Sequence, residues 1–348
     1  MKALLVEDKK KIDYIDIPVR ELADDEILCR VVYNGICGTD LVIYSGECSF
    51  VKDGQIKYPV RIGHEWSGVV EQVGKNVTKF KAGDRVIGDN AVGCGACDDC
   101  VNGNFRDCKD LKSVGTINAW DGAYADYMIM PERHLYHLPD SISMKNGVLI
   151  EQMTVAYCGL MEYDIKPDTK IAIIGAGPIG MAALAVAKAM GCEYVTFIGR
   201  NDEKLKIAKK IGAKHTINTR KENLIEAANR ITSGEGFEIV VEASGAVSTV
   251  QQAIDIAAFR GDISLMGFFE EPVDNLFMNN VVTKALTIKG VFGGGNVNQI
   301  IDFVLKYHMD LEEIITETIS FDEVKEYFLD AENRKKNNIK VLVKISDE

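Results

Sequence analysis

The run Cys94-x2-Cys97-x2-Cys100-x7-Cys108 places four thiols within fifteen residues. Four thiolates close tetrahedrally on one zinc ion, and a ligand set made only of sulfur leaves no open position for chemistry. Gly93, Gly95, Asp98, Asp99 and Gly103 suit a loop that curls around an ion. A disulfide cluster fits less well, because nothing else in the chain has a secreted character, and thioredoxin-like redox chemistry uses one Cys-x-x-Cys. A nucleic-acid zinc ribbon conflicts with a net charge of −12, which repels phosphate. The spacing reads as structural zinc, a signal of fold more than of reaction.

A second pattern is Gly175-Ala176-Gly177-Pro178-Ile179-Gly180. A G-x-G-x-x-G is weak alone. Here it follows a short apolar strand over 170–174 and opens a helix, with Pro178 placed for the first turn. In that context the glycines allow a tight turn and close backbone approach to a pyrophosphate at a helix N-terminus. A site that prefers NAD places Asp or Glu about 20 residues on, to hold the ribose 2′-OH. Gly199 occupies that position, followed by Arg200 and Asn201. No carboxylate would repel a 2′-phosphate there and a guanidinium is at hand to pair with one, so NADP is favoured over NAD. The alternative has Arg200 solvated and Asp202 contacting the adenosine ribose.

A sparser set consists of Cys37, in Gly35-Ile36-Cys37-Gly38-Thr39-Asp40, then His64-Glu65, then Glu151. One thiolate, one imidazole and one or two carboxylates make a mixed set with room for water or substrate, which distinguishes catalytic from structural zinc. These residues are far apart in sequence, so spacing alone leaves two readings open. In the other, Cys37 is buried, His64 packs in a loop and Glu151 lies on a helix surface.

The elements that must position these groups fall into two kinds. The chain has 348 residues, 47% hydrophobic and 26% charged, which suits about two domains with substantial cores. Residues 1 to about 150 read as short strands (26–33, 66–73, 84–87), with turns at Asn34-Gly35 and Gly74-Lys75-Asn76. Beyond 150 the pattern alternates: strand 170–174, helix 178–190, strand 194–198, helix 202–211, strand 238–242, helix 247–258, then strands 261–266 and 286–291. That rhythm predicts a parallel sheet covered by helices on both faces. A helix over 298–307, another beginning at Asp322 and a closing strand over 339–345 complete the chain. This tail is expected to return to the first domain. Nine cysteines, of which four cluster, fit a reducing cytoplasm. The early charges after Met1 argue against a signal peptide. The uncharged stretch 171–187 is short and broken by glycines, so no membrane span is expected. The acidic balance excludes nucleic acid as a default partner.

Together these residues resemble the zinc-containing medium-chain dehydrogenase/reductase family, on the side of polyol and threonine dehydrogenases, with alcohol dehydrogenases as relatives. Gly63-His64-Glu65-x2-Gly68-x5-Gly74-x2-Val77 fits the family's zinc signature, and Gly83-Asp84-Arg85-Val86 fits the turn after it. The four-cysteine lobe and the glycine fingerprint also fall where the family has them, so the resemblance spans essentially the whole chain. It implies an α/β protein with a GroES-like, mainly β catalytic domain (1–151 and 294–348), a Rossmann cofactor domain (152–293) and a cleft between them. It further implies two zinc ions per chain, the catalytic one held by Cys37, His64 and Glu151 with Glu65 as an exchangeable fourth ligand. Thr39 falls at the position of the family's hydroxyl relay. The implied reaction is hydride exchange between a secondary alcohol and its ketone, with a polyol or sugar alcohol as substrate. A threonine-type or simple secondary alcohol is the alternative, and a homotetramer, or alternatively a homodimer, the assembly.

Two departures matter. Many relatives have His three residues after the relay position, where this chain has Val42; polyol relatives often read Glu-Pro where it has Glu151-Gln152. Ser244, Met266 and Gly267, at the ends of sheet strands, are candidates to contact the nicotinamide half. Gly293-Gly294-Gly295 is either a hinge or a plain loop. Lys52 and Lys57, with Arg61 beyond, raise a phosphorylated substrate against the simpler reading of solvated lysines. His134, His137, His215 and His308 show no ligand spacing and read as structural or surface residues. A non-catalytic, crystallin-like NADPH binder is the rival class, and it has no need of the Cys37, His64, Glu65 and Glu151 set.

Overall fold

The computed structural model describes residues 1–292, 297–330 and 336–348. They form two compact units, Met1–Glu151 with Glu317–Glu348, and Gln152–Thr316.

The first unit is built on Glu26–Ile36, whose EILCRVVYNGI sequence is buried along nearly its whole length. A strand apolar on both faces belongs in the middle of a sheet. The sheet order is Ile315–Ser320, Lys340–Lys344, Glu26–Ile36, Glu65–Val73, Arg85–Gly88 and Leu135–His137, with Tyr127–Pro131 also paired to Glu26–Ile36. Register decides what meets at one end of this sheet. Gly35 lies opposite Glu65, and Ile36 lies opposite Val341. The expected turn at Asn34-Gly35 is therefore a strand end. A Cβ at Gly35 would meet Glu65 Oε2 at 2.1 Å, so this glycine marks a close approach of a carboxylate to the backbone rather than a reversal. Phe321, Val324, Phe328, Val341 and Val343 from the C-terminal segment share one core with Leu4, Val6, Ile43, Ile62 and Tyr124.

The second unit holds a six-stranded sheet in the order His215–Asn218, Tyr194–Gly199, Lys170–Ile174, Phe237–Glu242, Ala257–Leu265, Thr287–Gly290, with every pairing parallel. The order reverses beside Lys170–Ile174, which places the glycine turn at the switch point of a doubly wound sheet. The strand His215–Asn218 and the helix Leu224–Thr232 were not anticipated from sequence. The helix expected over 247–258 stops at Ile256. There Lys284 Nζ donates to the carbonyls of Ile254, Asp255 and Ala257 and satisfies the orphan end of the helix. The uncharged stretch 171–187 is divided between the strand Lys170–Ile174 and the helix Pro178–Ala189. Among the described residues no helix is long and apolar enough to cross a membrane.

The return to the first unit was expected at 294, beside Gly293-Gly294-Gly295, which lies outside the described residues. Residues 297–316 group with the second unit. The physical reason is the helix Val297–Tyr307, which buries Val297, Ile300, Ile301 and Val304 and sets the Phe303 ring 5.0 Å from that of Tyr157.

At Gly180 the glycine turn leaves no tolerance. A Cβ at Gly180 would sit 2.0 Å from the Gly175 carbonyl oxygen. Gly180→Ala is expected to destabilise the second unit by about 1–3 kcal/mol. The measurement is hydrogen exchange in the strand Lys170–Ile174, because both tryptophans, Trp66 and Trp120, belong to the other unit; unchanged protection would show that the turn relaxes freely.

Candidate active site and metal centres

Cys37 follows the central strand and opens the helix Gly38–Ser45, while Glu65 begins the neighbouring strand and His64 immediately precedes it. Their ligand atoms all lie within 4.8 Å of one another. Three residues separated by up to 28 positions in sequence therefore converge as one donor set. Asp40, fully buried, organises them. Its carboxylate accepts from the Cys37 N–H at 3.0 Å, from the Gly63 N–H at 3.3 Å and from the Tyr124 hydroxyl at 3.2 Å. It also stands 3.5 Å from His64 Nδ1, which makes no hydrogen bond within the set; a small approach would complete the carboxylate–histidine contact that orients a metal-binding imidazole. Burial works to lower the His64 pKa, but the charges of Cys37 and Asp40 outweigh it and hold the imidazole well above its ordinary value.

Glu65 is not a lone carboxylate. Lys340, from the closing strand, donates to Glu65 Oε2 at 2.5 Å and to the Ile36 carbonyl at 3.1 Å, with both charged side chains 1% exposed. Glu151 lies outside the converging group of three. Its Oε1 accepts from Asn90 Nδ2 at 2.9 Å. Burial and the Glu65 charge raise its pKa, while His64 and Lys340 act in the opposite sense. Sulfur, nitrogen and oxygen donors converging within 4.8 Å of one another make a mixed set that fits a zinc ion. The Thr39 hydroxyl stands 3.7 Å from Cys37 Sγ, at the edge of the set. Asp40, Asn90 and Lys340 were missed by sequence reasoning. Asp40 had a signal, its place one residue after Thr39; a lysine opening an apolar strand and an asparagine in a loop had none.

The four cysteines Cys94, Cys97, Cys100 and Cys108 form the other converging group. Zinc–sulfur bonds of about 2.3 Å place tetrahedral sulfurs about 3.8 Å apart, and Cys94 and Cys100 are already 4.0 Å apart. N–H groups of Ala96 and Cys97 point at Cys94 Sγ and bring its pKa down to about 6, whereas burial pushes Cys100 up to about 12. A Cβ at Gly93 would meet Cys100 Sγ at 2.6 Å. His134 braces this lobe. Its Nε2 accepts from the Gly93 N–H at 3.1 Å, its ring meets Phe105 edge-on at 4.5 Å, and burial lowers its pKa to about 4, so the ring is neutral.

The glycine fingerprint turns at the end of Lys170–Ile174. Gly175 has φ +123° and Gly177 caps the helix Pro178–Ala189. A Cβ at Gly177 would meet nothing within 4 Å, which leaves the open approach a pyrophosphate requires; Pro178 and Ile179 are half-buried beside it. At the next strand end a Cβ on Gly199 would crowd Ala176 at 3.1 Å and Leu205 at 3.3 Å. Arg200 is exposed. Asn201 Oδ1 caps the following helix, accepting from Glu203 and Lys204. Asp202, the alternative ribose contact, is engaged by Asn218 and Lys221. Ser244, Met266 and Gly267 gather around Glu242, which is fully buried: Ser244 Oγ and Thr249 Oγ1 donate to its Oε1, and the Met266 N–H to its carbonyl. Glu242 was also missed by sequence reasoning.

Removing Lys340 isolates a buried carboxylate. Lys340→Met is expected to cost about 3–5 kcal/mol, and Glu65→Gln in the same chain to restore much of it, because a neutral amide needs no counter-charge. Urea unfolding followed by tryptophan fluorescence measures both; a single variant as stable as the parent would show the pair to be dispensable.

Comparison with known proteins agrees with this geometry. Residues 23–140 match the alcohol dehydrogenase GroES-like domain, and residues 178–306 match the zinc-binding dehydrogenase domain. The chain is 34% identical over 316 residues to an L-threonine 3-dehydrogenase of Bacillus velezensis, covering 90% of each chain. It is 30% identical to a sorbitol dehydrogenase of Bacillus subtilis, covering 99% of this chain and 97% of the relative. A solved structure assigned as a zinc-binding dehydrogenase of Sinorhizobium meliloti 1021, bound to NADP, superposes with a TM-score of 0.89 at 26% identity, covering 99% of each chain. With a GroES-like domain, a parallel-sheet nucleotide domain and full-length relatives of this kind, the chain belongs to the zinc-dependent medium-chain dehydrogenase family of alcohol oxidoreductases.

Proposed function

We propose that the chain interconverts a secondary alcohol group of a polyol or sugar alcohol with its ketone, using NADP and a zinc ion held by Cys37, His64 and Glu65 with Glu151 beside them. The observation that carries this reading is the convergence of one sulfur, one imidazole nitrogen and one carboxylate oxygen within 4.8 Å. When bound, zinc supplies a Lewis acid for the alcohol oxygen and the nicotinamide supplies the hydride acceptor. The protein's own groups do the rest. Asp40 faces the His64 ring at Nδ1, and Lys340 holds the Glu65 carboxylate through Oε2. Thr39 takes the alcohol proton. Val42 has no proton to pass on, so release from Thr39 runs to water.

NADP is supported by Gly199, which offers no carboxylate to repel a 2′-phosphate, by the exposed Arg200, and by the relative bound to NADP. A second zinc, on Cys94, Cys97, Cys100 and Cys108, holds the lobe without taking part in the reaction. Lys52 is paired with Glu47 at 3.4 Å and Arg61 is buried, which favours an unphosphorylated polyol. A threonine-type substrate is the second reading, supported by the threonine dehydrogenase relative. The parallel sheet ends on the exposed strand Thr287–Gly290, and Phe259 (66%) and Val282 (76%) stand exposed in the same unit. An open edge with apolar residues in its unit suits pairing with a second copy, and we place the enzyme in the cytoplasm as a homotetramer, with a homodimer as the alternative. Nine free cysteines accord with a reducing compartment.

His64→Ala should lower kcat/KM by about 10³-fold or more while NADPH binding persists, and metal analysis should fall from two zinc ions per chain to one. Retained turnover would end the zinc reading. Arg200→Ala should weaken NADPH more than NADH by about tenfold or more; equal losses would remove the 2′-phosphate contact. Polyols, polyol phosphates, threonine and simple secondary alcohols, each assayed with both cofactors, separate the substrate readings.

A further inference from the structure

Arg61 stands apart from the zinc donors, and its charge is poorly met. It is 7% exposed, and its Nε is buried without a hydrogen-bond partner. Its ion pair is to Asp121, with Nη2 and Oδ2 3.3 Å apart. The Asp121 side chain is 71% exposed, so water screens that attraction. Burial lowers the Arg61 pKa, Asp121 raises it and Arg20 lowers it again, yet a guanidinium stays charged in proteins. A buried cation in this condition is costly until an anion reaches it.

Beside Arg61 is a cavity of about 330 Å³ whose walls include Arg20, Lys112, Trp120 and Ile129. That volume is within the range of small-ligand sites. Arg20 is already committed to Glu26 through two hydrogen bonds of 2.5 and 2.7 Å. Lys112 makes no ion pair among the described residues and lies 5.7 Å from the Trp120 ring centroid. A buried guanidinium whose Nε has no hydrogen-bond partner and an exposed lysine therefore line one cavity with apolar and aromatic walls. The lining includes none of Cys37, Thr39, His64 or Glu65, and neither Lys52 nor Lys57.

We propose that this cavity is a second ligand site, separate from the zinc centre, which takes a small organic carboxylate with an apolar or aromatic body. The carboxylate meets Arg61 and Lys112, and the body lies against Trp120 and Ile129. Asp121 holds the Arg61 guanidinium in the absence of ligand and competes with the incoming anion.

Benzoate is the probe, with benzamide as its neutral counterpart of the same shape, titrated into the full chain and followed by tryptophan fluorescence. Benzoate should give a saturable change, with benzamide about tenfold weaker or more. Arg61→Met and Lys112→Gln should each weaken benzoate by about tenfold, and Asp121→Asn should tighten it, because the competitor is gone. His64→Ala should leave the titration unchanged. Lys112 and Asp121 are exposed, so their variants keep the test decisive even where Arg61→Met fails to fold. Benzoate and benzamide binding alike, no saturation by about 50 mM, or parent-like titration in both Lys112→Gln and Asp121→Asn would overturn the site. Loss of the benzoate response in His64→Ala would assign the binding to the zinc centre and overturn it equally.

Discussion

The constraint on which the first unit depends is the burial of many ionisable groups around Cys37. Asp40, Glu65 and Lys340 are essentially inaccessible, and each would be costly alone in a dry interior. They are tolerable because each finds a partner from a different part of the chain. Asp40 is satisfied by the backbone of Cys37 and Gly63 and by Tyr124, and Glu65 by Lys340. The register of the sheet supplies those partners. A slip of one residue in either pairing would turn Glu65 or Lys340 to the opposite face. Sheet topology and site electrostatics are here a single requirement.

The four-cysteine lobe follows a different logic. Its thiols come from one short segment, so their convergence needs little tertiary help. What the tertiary structure adds is bracing: neutral His134 under Gly93, Arg133 Nη2 on the Gly93 carbonyl, and Arg106 3.7 Å from the buried Asp89. A lobe with such short internal loops has little apolar core of its own, and a metal on the four sulfurs would compensate for that deficiency. In the second unit Glu242 has the comparable organising part. A fully buried carboxylate gathers the turn at Ser244 and Gly245 and the hydroxyl of Thr249, so the end of one central strand is held by side chain as well as by backbone.

What was legible in the sequence was whatever depends on nearby residues. The spacing of Cys94, Cys97, Cys100 and Cys108, the turn Gly175–Gly180 and the alternation of strand and helix beyond residue 150 are local patterns, and local patterns survive without knowledge of the fold. Cys37, His64 and Glu65 could be named because their immediate surroundings resemble a family signature. That they converge was decided by the pairing of Glu26–Ile36 with Glu65–Val73.

Only the tertiary structure decided the rest. Lys340 and Glu65 are 275 residues apart, and nothing in the closing strand's sequence distinguishes a lysine facing a carboxylate from one facing water. Gly35 looked like a turn because glycine's freedom is usually used there, whereas here the missing Cβ makes room for a carboxylate. Arg61, read just beyond Lys52 and Lys57 as a candidate contact for a phosphorylated substrate, lines a cavity with Arg20 and Lys112. Residue type and local spacing determined which chemistry the chain can support. Which charges share a dry environment, and therefore need one another, is a matter of long-range register and packing, and only the fold determines those.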